Sequence, residues 1–249
     1  MIRSALQVEH FNSNPFDFVL ESTAVELPFR YREEERADVH TFLERSHATD
    51  DSTLQQWVKP FLSASGRANT LEFLTALNQS VPRSFDYAPR EEPGVQTPGE
   101  TLQRHAGSCR DLALLFMEAA KMLGVAARYV SGYLCRTDEE SIGIQQSHST
   151  HAWAELYLPG AGWKGFDPTC GVLAADYRVR VAVARDPAQA LPVIGSFQGT
   201  ASDYAGMRVV VNARQVRSLT PRVSASPECF PTDLSTLDAH EPSRGGDEY

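Results

Sequence analysis

Residues 107–124 read GSCRDLALLFMEAAKMLG, and the fold of this chain turns on them. Leu112, Leu115, Phe116, Ala119, Ala120 and Leu123 recur at helical spacing, which predicts a helix with one buried face. Ser108 and Asp111 stand in a capping-box arrangement at its start, with the serine hydroxyl available to the third amide and the carboxylate in the first turn. Gly124 sits where a left-handed residue ends the helix. With Ser108 as the cap, Cys109 takes the first helical position, where unpaired amides and the positive end of the dipole favour a thiolate. A nucleophile would be placed there. The competing reading is a small side chain packed under the helix, since free cysteine is commonly buried.

Beyond the helix, residues 125–134 (VAARYVSGYL) have the composition of a strand and 136–149 that of a polar loop. Residues 151–158 (HAWAELYL) alternate, with Ala152, Ala154, Leu156 and Leu158 on one face and His151, Trp153, Glu155 and Tyr157 on the more polar one. The turn 159–162 leads into 163–167 (WKGFD), a short strand stopped by Pro168, so an antiparallel hairpin is expected. Register decides whether His151 and Asp167 meet. A four-residue loop over 159–162 pairs Asp167 with Ala154 and points it the wrong way. A loop one residue longer, or a bulge at a glycine, pairs it with Trp153 and within diagonal reach of His151. Alone, His151 reads as a strand histidine satisfied by backbone, and Asp167 as a turn residue ahead of proline. Together with Cys109 they supply the thiol, imidazole and carboxylate of papain-like chemistry.

The rest of the chain narrows the class. It has 249 residues, 42% of them apolar, which suits a protein that buries a core. A formal charge of −9 would repel a phosphate backbone, so neither nucleic acid nor an anionic membrane is an expected partner. The first ten residues carry one arginine and no apolar run, so no signal peptide or anchor is read and a cytoplasmic location is the default. Cys109, Cys135, Cys170 and Cys229 lack CxxC spacing, which fits a reducing compartment and argues against a disulfide framework. No metal or other cofactor is expected: His148 and His151 would fall on opposite strand faces, and no acidic loop of EF-hand type is present. Cys135 reads as structural, and the run Glu33, Glu34, Glu35 as a solvated face. Three zones separate by composition. Residues 1–60 contain a strand-like piece at 16–20 and a helix over about 36–45, 61–217 hold the motifs and end in a strand-like run at 207–211, and 218–249 form a proline-rich tail expected to be disordered.

Residues 94–134 (GVQTPGETLQRHAGSCRDLALLFMEAAKMLGVAARYVSGYL) and 150–171 (THAWAELYLPGAGWKGFDPTCG) resemble the transglutaminase-like superfamily, in particular its bacterial members described as candidate cysteine proteases. Three separate blocks occur in the family's order and spacing. The resemblance implies an α+β fold, a papain-like core whose nucleophile helix packs on an antiparallel sheet. It implies Cys109 as nucleophile, His151 as general base and Asp167 as the residue that orients the histidine, acting on amide bonds of a protein or peptide substrate through a thioester. The Cys109 amide would be one oxyanion donor; Gln96 and Tyr87 are candidates for the second, and Trp153 and Trp163 could flank a substrate cleft. The resemblance also implies that residues 1–60 are the end of a truncated β domain, and Cys170 stands where the family pattern suggests Asn or Ser. The rival reading is a catalytically idle fold used as a protein-binding module.

Overall fold

A computed structural model describes residues 3–9, 14–90, 94–135, 148–174, 178–191, 195–196, 198–203, 206 and 209–212. Met1–Arg214 makes one compact unit; Gln215–Tyr249 is a second and lies outside the described residues, as do the expected tail, Cys229 and most of the loop 136–149.

Among the described residues five α-helices and nine strands follow one another: β1 (Glu26–Leu27), α1 (Glu33–Leu43), α2 (Asp51–Val58), β2 (Ala68–Asn69), α3 (Thr70–Ser84), β3 (Asp86–Tyr87), α4 (Pro98–Arg104), β4 (Ala106–Gly107), α5 (Cys109–Met122), β5 (Ala127–Cys135), β6 (His148–Leu158), β7 (Gly162–Asp167), β8 (Val172–Leu173) and β9 (Arg178–Ala184). The last five strands form one sheet in the order β8-β7-β6-β5-β9, each pair antiparallel. Against it lies α5, so the architecture is α+β, with the cysteine helix packed on an antiparallel sheet.

The helix is more deeply set than its periodicity predicts. Besides the expected stripe, Ala113, Leu114 and Met117 are fully or almost fully buried, because α2, α3 and α4 cover the side turned away from the sheet. A helix enclosed all round needs apolar residues all round, and the charges it buries in its second half are paired: Glu118 accepts from Lys121 at 3.3 Å and from Arg45 at 3.4 Å. Gly124 adopts φ 79°, the left-handed stop.

The boundary expected near residue 60 is one of sequence pattern and not of packing. Ala24, Leu27, Leu54 and Val58 belong to the same core as Phe116 and Leu156. Tyr31 stitches them together: its hydroxyl donates to the Tyr157 carbonyl and accepts from the Ala126 amide, each at 2.8 Å. The piece 16–20 is not a strand; the only ladder-like bond nearby is the Glu21 amide to the Pro159 carbonyl at 2.9 Å. Helix α1 begins at Glu33, earlier than expected, with three acidic residues in its first turn facing the positive dipole end. Of those three, Glu35 is buried, held by Arg32 and the Tyr157 hydroxyl, where a solvated face was expected. Residues 209–212 form no strand, and 207–208 lie outside the described residues.

The hairpin resolves the register. Leu158 pairs with Gly162 and Ala154 with Phe166, leaving a three-residue turn, one shorter than the loop assumed from the sequence. Continued by one step, that register sets Asp167 across from Trp153, on the face that carries His151. The expected outcome is reached by a shorter turn and not a longer one, with Gly160 at φ 84° and Gly162 at φ 72° supplying the backbone it needs.

Candidate active site

Cys109 opens α5 and is half-buried. What fixes that helix start is Asp111, fully buried. Its Oδ2 accepts from the amide and the hydroxyl of Ser108, both at 2.8 Å. Its Oδ1 accepts from the Gln96 amide at 2.7 Å and from Nη1 of Arg90 at 3.0 Å. The capping carboxylate therefore also ties down the segment entering α4. Gln96, a candidate oxyanion donor, is buried; its backbone amide donates to Asp111 and its side-chain carbonyl accepts from the Thr101 hydroxyl at 3.4 Å.

The other candidate, Tyr87, lies near the cysteine. Strands β3 and β4 run parallel with Tyr87 opposite Gly107, two residues before Cys109, which brings the phenol into the neighbourhood of the thiol. Burial, then the neighbouring Cys109, push that phenol up to about 12, so it remains a neutral donor through the physiological range.

His151 is buried on β6, with Nε2 2.7 Å from Oδ2 of Asp167. Cys109 lies near enough to the ring to act on its charge. Burial alone would push the imidazole down, but the charge and hydrogen bond of Asp167 and the contact with Cys109 outweigh it and raise the pKa to about 10. Trp153 lies behind the ring, centroids 6.2 Å apart and planes 29° apart. Trp163 packs elsewhere, edge-on to Phe42 and Tyr157 and under the Arg128 guanidinium. Both tryptophans line a cavity of about 380 Å³ on this face of the sheet, which Cys109, His151 and Asp167 do not line.

Asp167 is inaccessible to solvent. Burial favours its neutral form, yet His151 and then Arg178 hold it well below the ordinary carboxylate range. Its second oxygen accepts the Thr169 amide at 3.0 Å. Arg178, on β9, is absent from the candidates drawn from the sequence, although the alternation of 178–184 (RVRVAVA) is a legible strand signal. Its Nη2 also donates to the Cys170 sulfur at 3.0 Å. Burial and Asp167 push the Cys170 thiol up to about 11, and burial pushes Cys135 up as well. Among the described residues no cluster of three or more His, Cys, Asp or Glu could hold a metal ion, and no helix is long and apolar enough to cross a membrane. His148 starts β6, its side chain lying outside the described set.

A thiol at a helix start, a buried imidazole near it and a carboxylate on the hairpin partner thus share one helix-against-sheet core. Residues 55–168 match the transglutaminase-like superfamily. The chain is 32% identical over 116 residues to the uncharacterized protein ML0607 of Mycobacterium leprae, covering 46% of this chain and 40% of that protein. It is 33% identical over 134 residues to the uncharacterized protein Rv2569c of Mycobacterium tuberculosis, covering 50% and 41%. The chain thus spans about two fifths of the curated relatives it matches. Among solved structures it is similar to a candidate cysteine protease from Cytophaga hutchinsonii, with a TM-score of 0.50 at 25% identity, over 61% of this chain and 49% of that one.

Proposed function

We propose that the chain is a cysteine enzyme that acts on carboxamide bonds of proteins or peptides through a thioester on Cys109. The observation that carries this reading is His151, 2.7 Å from Asp167 at Nε2 and with Cys109 near its ring. An imidazole whose pKa is raised to about 10 is cationic at neutral pH, the partner an attacking thiolate needs. The Cys109 sulfur attacks the amide carbon, and the oxyanion that forms meets the Cys109 amide at the start of α5. The Tyr87 hydroxyl, in the neighbourhood of the sulfur, is a candidate for a second donor. As the carbon–nitrogen bond breaks, His151 gives its proton to the departing amine. Water or a second amine then attacks the thioester, His151 takes up the proton of that nucleophile, and the thiolate is released.

Hydrolysis and amine transfer share this intermediate and differ in the acceptor. Mass spectrometry of glutamine peptides incubated with and without a primary amine tests both. A gain of 1 Da, cleavage or amine incorporation that disappears in Cys109→Ala is expected. Peptides left unchanged under all conditions would favour the binding-module reading.

A further inference from the structure

The bulge in β9 directs an arginine onto the carboxylate of the site. In β5, Arg128, Val130 and Gly132 share the face of His151, Trp153 and Glu155, while Ala127, Tyr129 and Ser131 face α5. β9 pairs Ala184 with Tyr129 and Ala182 with Ser131, so both alanines face the core. An uninterrupted ladder would carry Arg180 and Arg178 onto that same apolar face, since side chains alternate with period two. The register shifts between Ser131 and Gly132, leaving Val181 as the extra residue, and Arg180 pairs with Gly132 and Arg178 with Leu134. Both arginines thereby arrive on the His151 face. Gly132 makes room: a Cβ there would collide with the Val179 carbonyl and lie 2.9 Å from Cη2 of Trp153.

We propose that Arg178 is a positioning residue of the site, clamping Asp167 so that the carboxylate stays ionised and aimed at His151. The proposal rests on the triad reading above. Nε of Arg178 donates to Oδ2 of Asp167 at 2.7 Å, Nη2 lies 2.7 Å from the same oxygen, and the guanidinium is buried. His151 meets that oxygen also at 2.7 Å, so two cations share one acceptor. A carboxylate with no exposure to solvent would otherwise be held by the imidazole and the Thr169 amide alone. The other groups near Asp167 are Cys170, in contact with Arg178, and Tyr87 and Cys109 on the far side of the imidazole. On the Arg178 side, Arg180 and Arg128 are spent on Glu155 at 2.9 Å and 2.8 Å, and Lys164 lies over Phe18.

The test is iodoacetamide alkylation of Cys109 from about pH 4 to about pH 9, with melting temperatures recorded for each variant. In Arg178→Gln, Asp167 should protonate at higher pH, so the acid limb of the profile should rise by at least about one unit and the neutral rate fall at least about fivefold. Arg178→Lys keeps the charge and loses the fork, and should lie between; Cys170→Ser should match the unmodified protein. A merely structural arginine predicts a lower melting temperature with an unchanged profile, and that result in folded Arg178→Gln overturns the proposal. If that variant does not fold, Arg178→Lys decides: a displaced profile supports the clamp and an unchanged one removes it. His151→Ala separates the two levels. If the Cys109 rate ignores His151, the triad reading falls and the clamp with it; a rate that depends on His151 but ignores Arg178 removes the clamp alone.

Discussion

At Cys109 the helix end and the imidazole both favour the thiolate, and removing each in turn separates them. His151→Ala should slow alkylation of Cys109 near pH 6 by at least about tenfold, while Asp167→Asn, which leaves the ring in place without its carboxylate, should give a smaller loss. In the unmodified protein Cys109 should label first, although Cys170 is exposed, since desolvation and Asp167 raise the Cys170 thiol and desolvation that of Cys135; equal labelling of the three would refute the assignment. The same imidazole sets a pH dependence of stability. Its pKa is raised from 6.5 to about 10, so its contribution is complete below about pH 6.5, declines as the pH rises through that window and is gone above about 10. Asp167, depressed, has the opposite sign: its contribution is present above the ordinary carboxylate range and is lost as acid protonates it. Melting curves taken between neutral pH and pH 10 should therefore fall in the unmodified protein and flatten in His151→Ala. A parallel slope in both would show that the loss comes from other groups.

At the scale of elements, two joints hold the site together. The first is Asp111, whose carboxylate binds the start of α5 to the strand before it and to the entry of α4 through four donors. Asp111→Ala would take the acceptor from two buried amides and the Ser108 hydroxyl and remove one partner of the half-buried Arg90, at a cost of about 3 kcal/mol, readable by urea denaturation. A loss under about 1 kcal/mol would mean that water replaces the carboxylate. The second joint is the crossing of β5 and β9. Gly132→Ala must push β9 away, because the new methyl meets backbone at Val179 and the ring of Trp153. It should lower both the melting temperature and the Cys109 rate, whereas a change confined to stability would show that β9 can move without disturbing Asp167. Local periodicity revealed α5 and the hairpin because each depends on neighbours a few residues apart. It could not reveal the bulge, whose position comes from the pairing of β9 with a distant strand.

Over the whole first unit, one core is shared by segments that composition divides. Leu27 and Leu54 are fully buried and Val58 nearly so, in contact with residues that belong to the central helix and sheet. Each is worth about 1.5–3 kcal/mol of burial, and Glu118, inaccessible to solvent, draws further bonds from Arg45 and the amides of Ser46 and His47. A chain starting at residue 61 should consequently fail to melt cooperatively and should bind a dye for exposed apolar surface. Cooperative melting of that fragment would restore the boundary near residue 60. A net charge of −9 is compatible with the local set of arginines around Glu155 and Asp167, since the one is a sum and the other a matter of placement.

The sequence alone determined the nucleophile helix with its stop at Gly124, the alternation that puts His151 and Trp153 on one face, and the three blocks that mark the family. Each is written in spacings shorter than one element. Tertiary structure decided the rest: the three-residue turn that sets Asp167 on the His151 face, the parallel pairing that sets Tyr87 opposite Gly107 beside the start of the cysteine helix, and the bulge that turns Arg178 toward Asp167. Those depend on register and on contacts between residues far apart in the chain. A shift of one residue reverses every side chain of a strand, and no local pattern records which register the packed core selects.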